Sequence, residues 1–231
     1  MFIHQHPYPP FIQNDTKKLI VGTLPPPRFT TGELLEKDVD FCYGSYHNSL
    51  WKFIDHIHNL NLRFDNSQEA VKQREDFLVS HSIGICDIVE RAKRDKIDAS
   101  DLGMKAIKLR NMLSYLHDFT SIEMLIFIGG NSKNGPEYLF RKQLKENGIK
   151  LQVVSNDVPR IHEFELPSLS GHNEKAKGKL IQTVSLSSSS GAANISISRL
   201  PLYKQLKAEA ELKGATFNTF DFRVQQYSRW L

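Results

Sequence analysis

Short aliphatic runs that break off into glycine or polar residues set what this chain can fold into. Lys18-Leu-Ile-Val-Gly22, Ile83-Gly-Ile-Cys-Asp-Ile-Val89, Met124-Leu-Ile-Phe-Ile128 and Ile181-Gln-Thr-Val-Ser-Leu186 have this form, and Leu151-Gln-Val-Val154 is a weaker one. Each is too short for a helix and reads as a strand feeding a loop. Between them lie stretches with helical spacing. Ser49 to Leu60 carries Leu50, Trp51, Phe53, Ile54 and Ile57; Gln68 to Ser80, Ile107 to Leu116, Tyr138 to Asn147 and Leu200 to Lys213 follow the same logic. Gly148 is placed to close the fourth of these as a C-terminal cap. Strands alternating with helices predict an α/β domain, a three-layer sandwich with a mostly parallel central sheet flanked by helices.

The remaining segments read as connections. His4-Gln5-His6-Pro7-Tyr8-Pro9-Pro10 is an extended, proline-stiffened arm, within an N-terminal arm of about residues 1–15 on a single domain spanning 1–231. Its two histidines could bind a metal or simply stand on a surface arm. Glu90 to Asp98 is a charged stretch in which Asp95 and Asp98 interrupt Lys93, Arg94 and Lys96, so it reads as a solvated face or a phosphate contact. Pro159 to Lys179 lacks sustained periodicity and reads as a loop. The tail from Arg223 to Leu231 is left open, with packing as a terminal helix one reading.

Bulk properties narrow the function. With 231 residues, 40% hydrophobic and 24% charged, the chain can bury a full core without staples. A net charge of +4 permits a polyanionic partner without requiring one. Cys42 and Cys86 are the only cysteines, which argues for free thiols in a reducing cytoplasm and against an iron–sulfur cluster. No apolar run approaches the roughly 20 residues of a membrane span, and Met1 to Pro10 lacks the pattern of a secretion signal. A cytoplasmic monomer needing no cofactor and no metal is the expectation.

In open α/β sheets ligands bind beyond the carboxyl ends of the strands, so the loops after Val21, Cys86, Ile128 and Leu186 matter most. Gly22-Thr-Leu-Pro25-Pro26-Pro27 is a stiff loop able to hold backbone toward a ligand. It matches neither a phosphate loop nor a dinucleotide fingerprint, and the chain has no HExxH and no Gly-x-Ser-x-Gly elbow. Phe41-Cys-Tyr-Gly-Ser-Tyr-His-Asn48 gathers aromatics, an imidazole and a carboxamide before a helix. Two readings stay open there: a stacking and hydrogen-bonding site for a base, or a core-seated loop in which Asn48 or Ser49 caps the helix. Ser187-Ser-Ser-Ser-Gly191 with Ala192, Ala193 and Asn194 offers small residues and free N–H groups, suited to pinching a phosphate backbone or to forming a flexible surface turn.

Four stretches, in order, resemble the uracil-DNA glycosylase superfamily, closest to its mismatch-specific and hypoxanthine-DNA glycosylase branches. These are Leu19-Ile-Val-Gly-Thr-Leu-Pro25, Tyr43-Gly-Ser-Tyr-His-Asn-Ser-Leu-Trp51, Ile83-Gly-Ile-Cys-Asp-Ile-Val-Glu-Arg91 and Val184-Ser-Leu-Ser-Ser-Ser-Ser-Gly-Ala-Ala-Asn194. The resemblance implies that fold and an enzyme hydrolysing the N-glycosidic bond of uracil or hypoxanthine in DNA, after flipping the nucleotide from the stack. It implies that Tyr43 stacks on the base, that Asp87 accepts from a ring N–H, and that Thr23 and Leu24 line the base pocket. Asn48 is then the catalytic residue that positions or polarises water, with Ser188 beside the departing base. Pro25, Ser189, Ser190, Gly191, Ala192 and Asn194 are the implied DNA contacts, and Ala192 or Ala193 occupies the place of a wedge.

The departures matter too. Leu24 stands where many relatives carry a water-orienting Asp or Asn, Ser45-Tyr46 replaces a His-Pro pair, and Ser188 replaces a His or Asn. A slow enzyme, a shifted substrate or lost activity follows, so the rival readings are a non-catalytic nucleic-acid-binding module of the same fold and an unrelated α/β enzyme. Leu166-Pro-Ser-Leu-Ser-Gly-His-Asn173 matches the terminal motif's letters better than residues 186–194, but it is expected to lack a preceding strand and a following helix.

Overall fold

The computed structural model describes residues 1–129, 132–168 and 178–231. In chain order the strands are β1 (Phe2–Gln5), β2 (Lys18–Gly22), β3 (Ile83–Asp87), β4 (Val89–Arg94), β5 (Lys105–Leu109), β6 (Met124–Ile128), β7 (Gln152–Ser155), β8 (Arg160–Leu166) and β9 (Lys179–Leu186). The α-helices are α1 (Pro27–Thr31), α2 (Leu50–His58), α3 (Gln68–Ser80), α4 (Met112–Asp118), α5 (Pro136–Glu146), α6 (Asn194–Ile197), α7 (Pro201–Leu212) and α8 (Thr219–Tyr227).

The central sheet has six strands in the order β3-β2-β6-β9-β8-β7. The first four run parallel, with Ile20 opposite both Ile85 and Ile126, and Ile126 opposite Val184. β8 and β7 then add antiparallel at the edge. Side chains alternate across this sheet and split into two cores. Leu19, Val21, Leu125 and Phe127 face one layer with Met112, Leu116, Leu139, Phe140 and Leu144 of α4 and α5. Ile20, Ile126, Ile128, Val184 and Leu186 face the other with Trp51, Phe53, Phe77, Leu78 and Tyr227 of α2, α3 and α8. Each such side chain contributes roughly 1.5–3 kcal/mol relative to an exposed one. This is the expected three-layer α/β sandwich.

A second sheet, β1-β4-β5, is antiparallel throughout. It corrects three readings of the sequence. The N-terminal segment is no loose surface arm: Phe2 to Gln5 pairs with Arg94 to Arg91, and His4 and His6 are buried. The charged stretch after Val89 is strand β4, with Ala92 and Arg94 turned inward. Ile107 to Leu116 is the end of β5 followed by α4, because Asn111 accepts from the Ser114 N–H and starts the helix there. Charges hid β4 and β5, since their outward faces carry Lys and Arg.

The expected loop from Pro159 contains β8. Its residues His162, Phe164 and Leu166 point in, while the charged side chains of Glu163 and Glu165 mask the alternation. A strand therefore does precede the alternative terminal motif at Leu166. Because β8 is antiparallel, Leu166 pairs with Lys179 at the start of β9. That puts Leu166 at the opposite end of the sheet from the parallel strands' carboxyl ends; residues 169–173 of the segment lie outside the described ones. The tail forms helix α8, begun by a reciprocal capping box between Asn218 and Asp221. Among the described residues, no helix is long and apolar enough to cross a membrane.

Candidate active site

The chain leaves the central sheet at Asp87 and enters the small sheet at Val89, so Asp87 stands where the two sheets diverge. Beside it, β2 ends at Gly22, paired with Asp87 across the sheet. A Cβ on Gly22 would lie 2.0 Å from the Tyr43 hydroxyl and 2.2 Å from Asp87 Oδ1. Glycine is therefore what lets the phenol and the carboxylate meet over the strand end.

Tyr43 reaches that place through a tight turn. Its φ of 59° is left-handed, a conformation that costs a non-glycine residue about 1–3 kcal/mol. Gly44 follows, where a Cβ would lie 1.8 Å from the Val39 carbonyl. The turn is pinned by buried Asp38, which accepts from Arg28 Nε at 2.6 Å and from the Leu35 and Tyr46 amides at 2.9 Å each. Burial alone would raise the Asp38 pKa, but these donors outweigh it and hold the carboxyl below its usual range. Arg28 also donates to Ser45 Oγ at 2.8 Å. For Tyr43, burial and then the nearby Asp87 charge push the phenol up, so it stays neutral.

The floor is a cavity of about 500 Å³ at the carboxyl ends of the parallel strands. It is lined by Thr23, Leu24, Pro25, Tyr43, Asn48, Asp87, Ser188, Ser189, Ser190 and Ala192. Those are ten of the twelve residues singled out from the sequence. Gly191 and Asn194 do not line it. Asn194 is engaged elsewhere: its Oδ1 accepts from Arg223 at 2.6 Å and from Thr219 at 3.1 Å.

Asn48 stands both at the helix start and at the cavity, while Ser49, the N-cap position, makes no side-chain cap. Asn48 accepts through Oδ1 from the Leu50 N–H at 2.9 Å, restraining the start of α2, and it also lines the cavity. It bridges to Ser190, and the Ser49 amide donates to the Ser189 carbonyl at 2.9 Å. The serine loop is thus tied to the start of α2. Its amides at Ser190 and Ala192 are satisfied by the hydroxyls of Ser188 and Ser190, which corrects the expectation of free N–H groups at those positions.

Three contributors were not foreseen. His6, from the N-terminal segment, sits 2.8 Å from Asp87 Oδ2 through Nε2. A carboxylate oxygen only accepts, so Nε2 carries the hydrogen, and Nδ1 faces the Tyr8 backbone. Asp101, on the turn before β5, accepts from the Thr23 hydroxyl at 2.9 Å and lines the cavity. Burial is the main cause that pushes its pKa up to about 6, with Asp87 adding to it. Arg223, buried on α8, donates to the Ser188 and Ser190 carbonyls at 3.1 Å each. His6 was hidden in a proline-rich leader and Asp101 in a polar run; neither carries a local motif.

No family model matches this chain. No curated protein matches it either. Among solved structures, it is similar over 97% of its length to 99% of a Methanosarcina acetivorans protein whose solution NMR structure is described as that of a "putative Uracil DNA glycosylase". Sequence identity is 17% and the TM-score is 0.51. At that identity the likeness is one of fold: the α/β sandwich is what the two chains have in common.

Proposed function

We propose that this chain is a monofunctional DNA glycosylase that hydrolyses the N-glycosidic bond of a deaminated base, uracil or hypoxanthine. The observation that carries the reading is the meeting of Tyr43 and Asp87 across the missing side chain of Gly22, on the floor of a cavity at the strand ends. An aromatic face offers stacking to a flat base, and a carboxylate held from behind by His6 offers an acceptor for one ring N–H. Uracil and hypoxanthine both carry such an N–H beside a carbonyl. The unmodified bases cytosine and adenine carry a lone pair there, which an ionised carboxylate repels.

A volume of about 500 Å³ accommodates a nucleoside but not a duplex, so the base must leave the stack to enter. The serine loop with Ala192, and Pro25, then contact the DNA in this reading. Asn48 holds the attacking water from the cavity wall, its Oδ1 fixed by Leu50 and its amide nitrogen with no hydrogen-bond partner among the described residues. No side-chain amine is required, so the product is an abasic site in an uncut strand.

The test is incubation of the purified protein with labelled single- and double-stranded oligonucleotides bearing one uracil or hypoxanthine. Alkali reveals abasic sites. Asn48→Ala is expected to lower single-turnover excision by about a hundredfold or more, the range for losing one transition-state contact. Excision retained by that variant removes Asn48 from the mechanism. No excision on any substrate, with salt-sensitive DNA binding intact, identifies a binding module of the same fold.

A further inference from the structure

Hydrolysis needs an acceptor for the proton that water gives up, and Asn48 cannot serve. A carboxamide positions water but does not take its proton at neutral pH. Among the described residues lining the cavity, Asp87, Asp101 and His47 are the candidate bases. His47 is exposed at the rim. Asp87 has His6 on its Oδ2 and, in the reading above, is occupied by the ring N–H of the bound base.

Asp101 is arranged differently. Thr23 donates to its Oδ1, and Oδ2 has no hydrogen-bond partner among the described residues. The Asn134 amide holds its backbone carbonyl at 3.1 Å, and Arg94 braces the same turn through the Ser100 carbonyl at 2.6 Å. The turn is therefore fixed while one carboxylate oxygen stays available. Resting on the glycosylase reading, we infer that Asp101 is the general base, taking the proton of the water that attacks C1′ of the flipped nucleotide.

In that step the water oxygen–C1′ bond forms as the C1′–N bond breaks. The bonding pair departs with the base, which gains a proton from solvent. The water's proton passes to the Asp101 carboxylate and from there to solvent. The charged and titratable groups facing Asp101 are Asp87 on β3 and Arg94 on β4, with Arg28, Tyr43 and His47 around the cavity. Burial, the largest influence, leaves the carboxyl titrating at about 6, close to the working pH as an effective base requires.

The experiment measures single-turnover excision from pH 5 to 9 for the native chain, Asp101→Asn and Asp101→Glu, with DNA affinity and thermal melting alongside. The Asn variant keeps an acceptor for Thr23 and preserves the turn. Native excision is expected to fall below an inflection near 6. Asp101→Asn should lose about a hundredfold or more in rate, lose that acid limb, bind DNA as before and melt no lower; Asp101→Glu should recover part of the rate. An Asn variant within a few-fold of native, with the acid limb intact, overturns the assignment while the glycosylase reading stands. A native chain inactive on every substrate overturns both.

Discussion

Two parts of the cavity lining, its acidic and serine walls, are held by different means. One wall carries Asp87, Asp101 and Tyr43, fixed at their side chains by His6, by Thr23 and by the space left at Gly22. The other is the serine loop, fixed at its backbone: Arg223 takes the Ser188 and Ser190 carbonyls, and Ser49 takes that of Ser189. The first arrangement aims specific acceptor atoms into the cavity. The second gives a rim of fixed shape with small side chains, suited to contact that does not read sequence. On the proposed reading chemistry and grip are then separable, and each wall can be disturbed without the other.

Gly22→Ala is the severest disturbance of the acidic wall. Its new Cβ must displace either the Tyr43 hydroxyl or the Asp87 carboxylate. Excision should fall by at least about a hundredfold, and stability by about 1–3 kcal/mol, read from single-turnover rates and denaturant melts. Unchanged excision would break the claim that the two side chains must meet there.

Arg223→Ala disturbs only the serine wall. It removes a buried cation that satisfies two loop carbonyls and Asn194, and stability should drop by about 2–4 kcal/mol. DNA affinity should weaken roughly tenfold, while the rate on a saturating substrate moves less. A larger loss in rate than in affinity would show that this loop also places catalytic groups.

His4 gives the smallest effect, on the pH dependence of stability. Burial, then Arg94, lowers its pKa from 6.5 to about 4. The unfolded chain therefore binds a proton that the folded one refuses, and stability present above pH 6.5 is lost as pH falls toward 4. His4→Gln, which keeps an acceptor for Arg94, should flatten that slope in melts across this window. An unchanged slope would assign the acid sensitivity to other groups.

The central sheet was legible because its strands are buried on both faces and so are written as unbroken aliphatic runs, as in Met124 to Ile128. The strands β4 and β8 were not, because one face of each meets water and carries charge that drowns the alternation, and β1 is only four residues long. The same contrast divides the site. Tyr43, Asn48 and the serine loop stand beside strands and helix starts that local sequence reveals.

Sequence alone determined the three-layer architecture and the end of the sheet where a ligand would lie, since both follow from periodicity and from which runs stop in glycine or polar residues. Only the tertiary structure decided how the cavity is completed. His6 meets Asp87 across 81 positions of chain, Thr23 meets Asp101 across 78, and Arg223 meets Ser188 across 35. Such pairs leave no local pattern, because hydrogen bonds between distant segments are fixed by how the sheets pack and not by spacing along the chain.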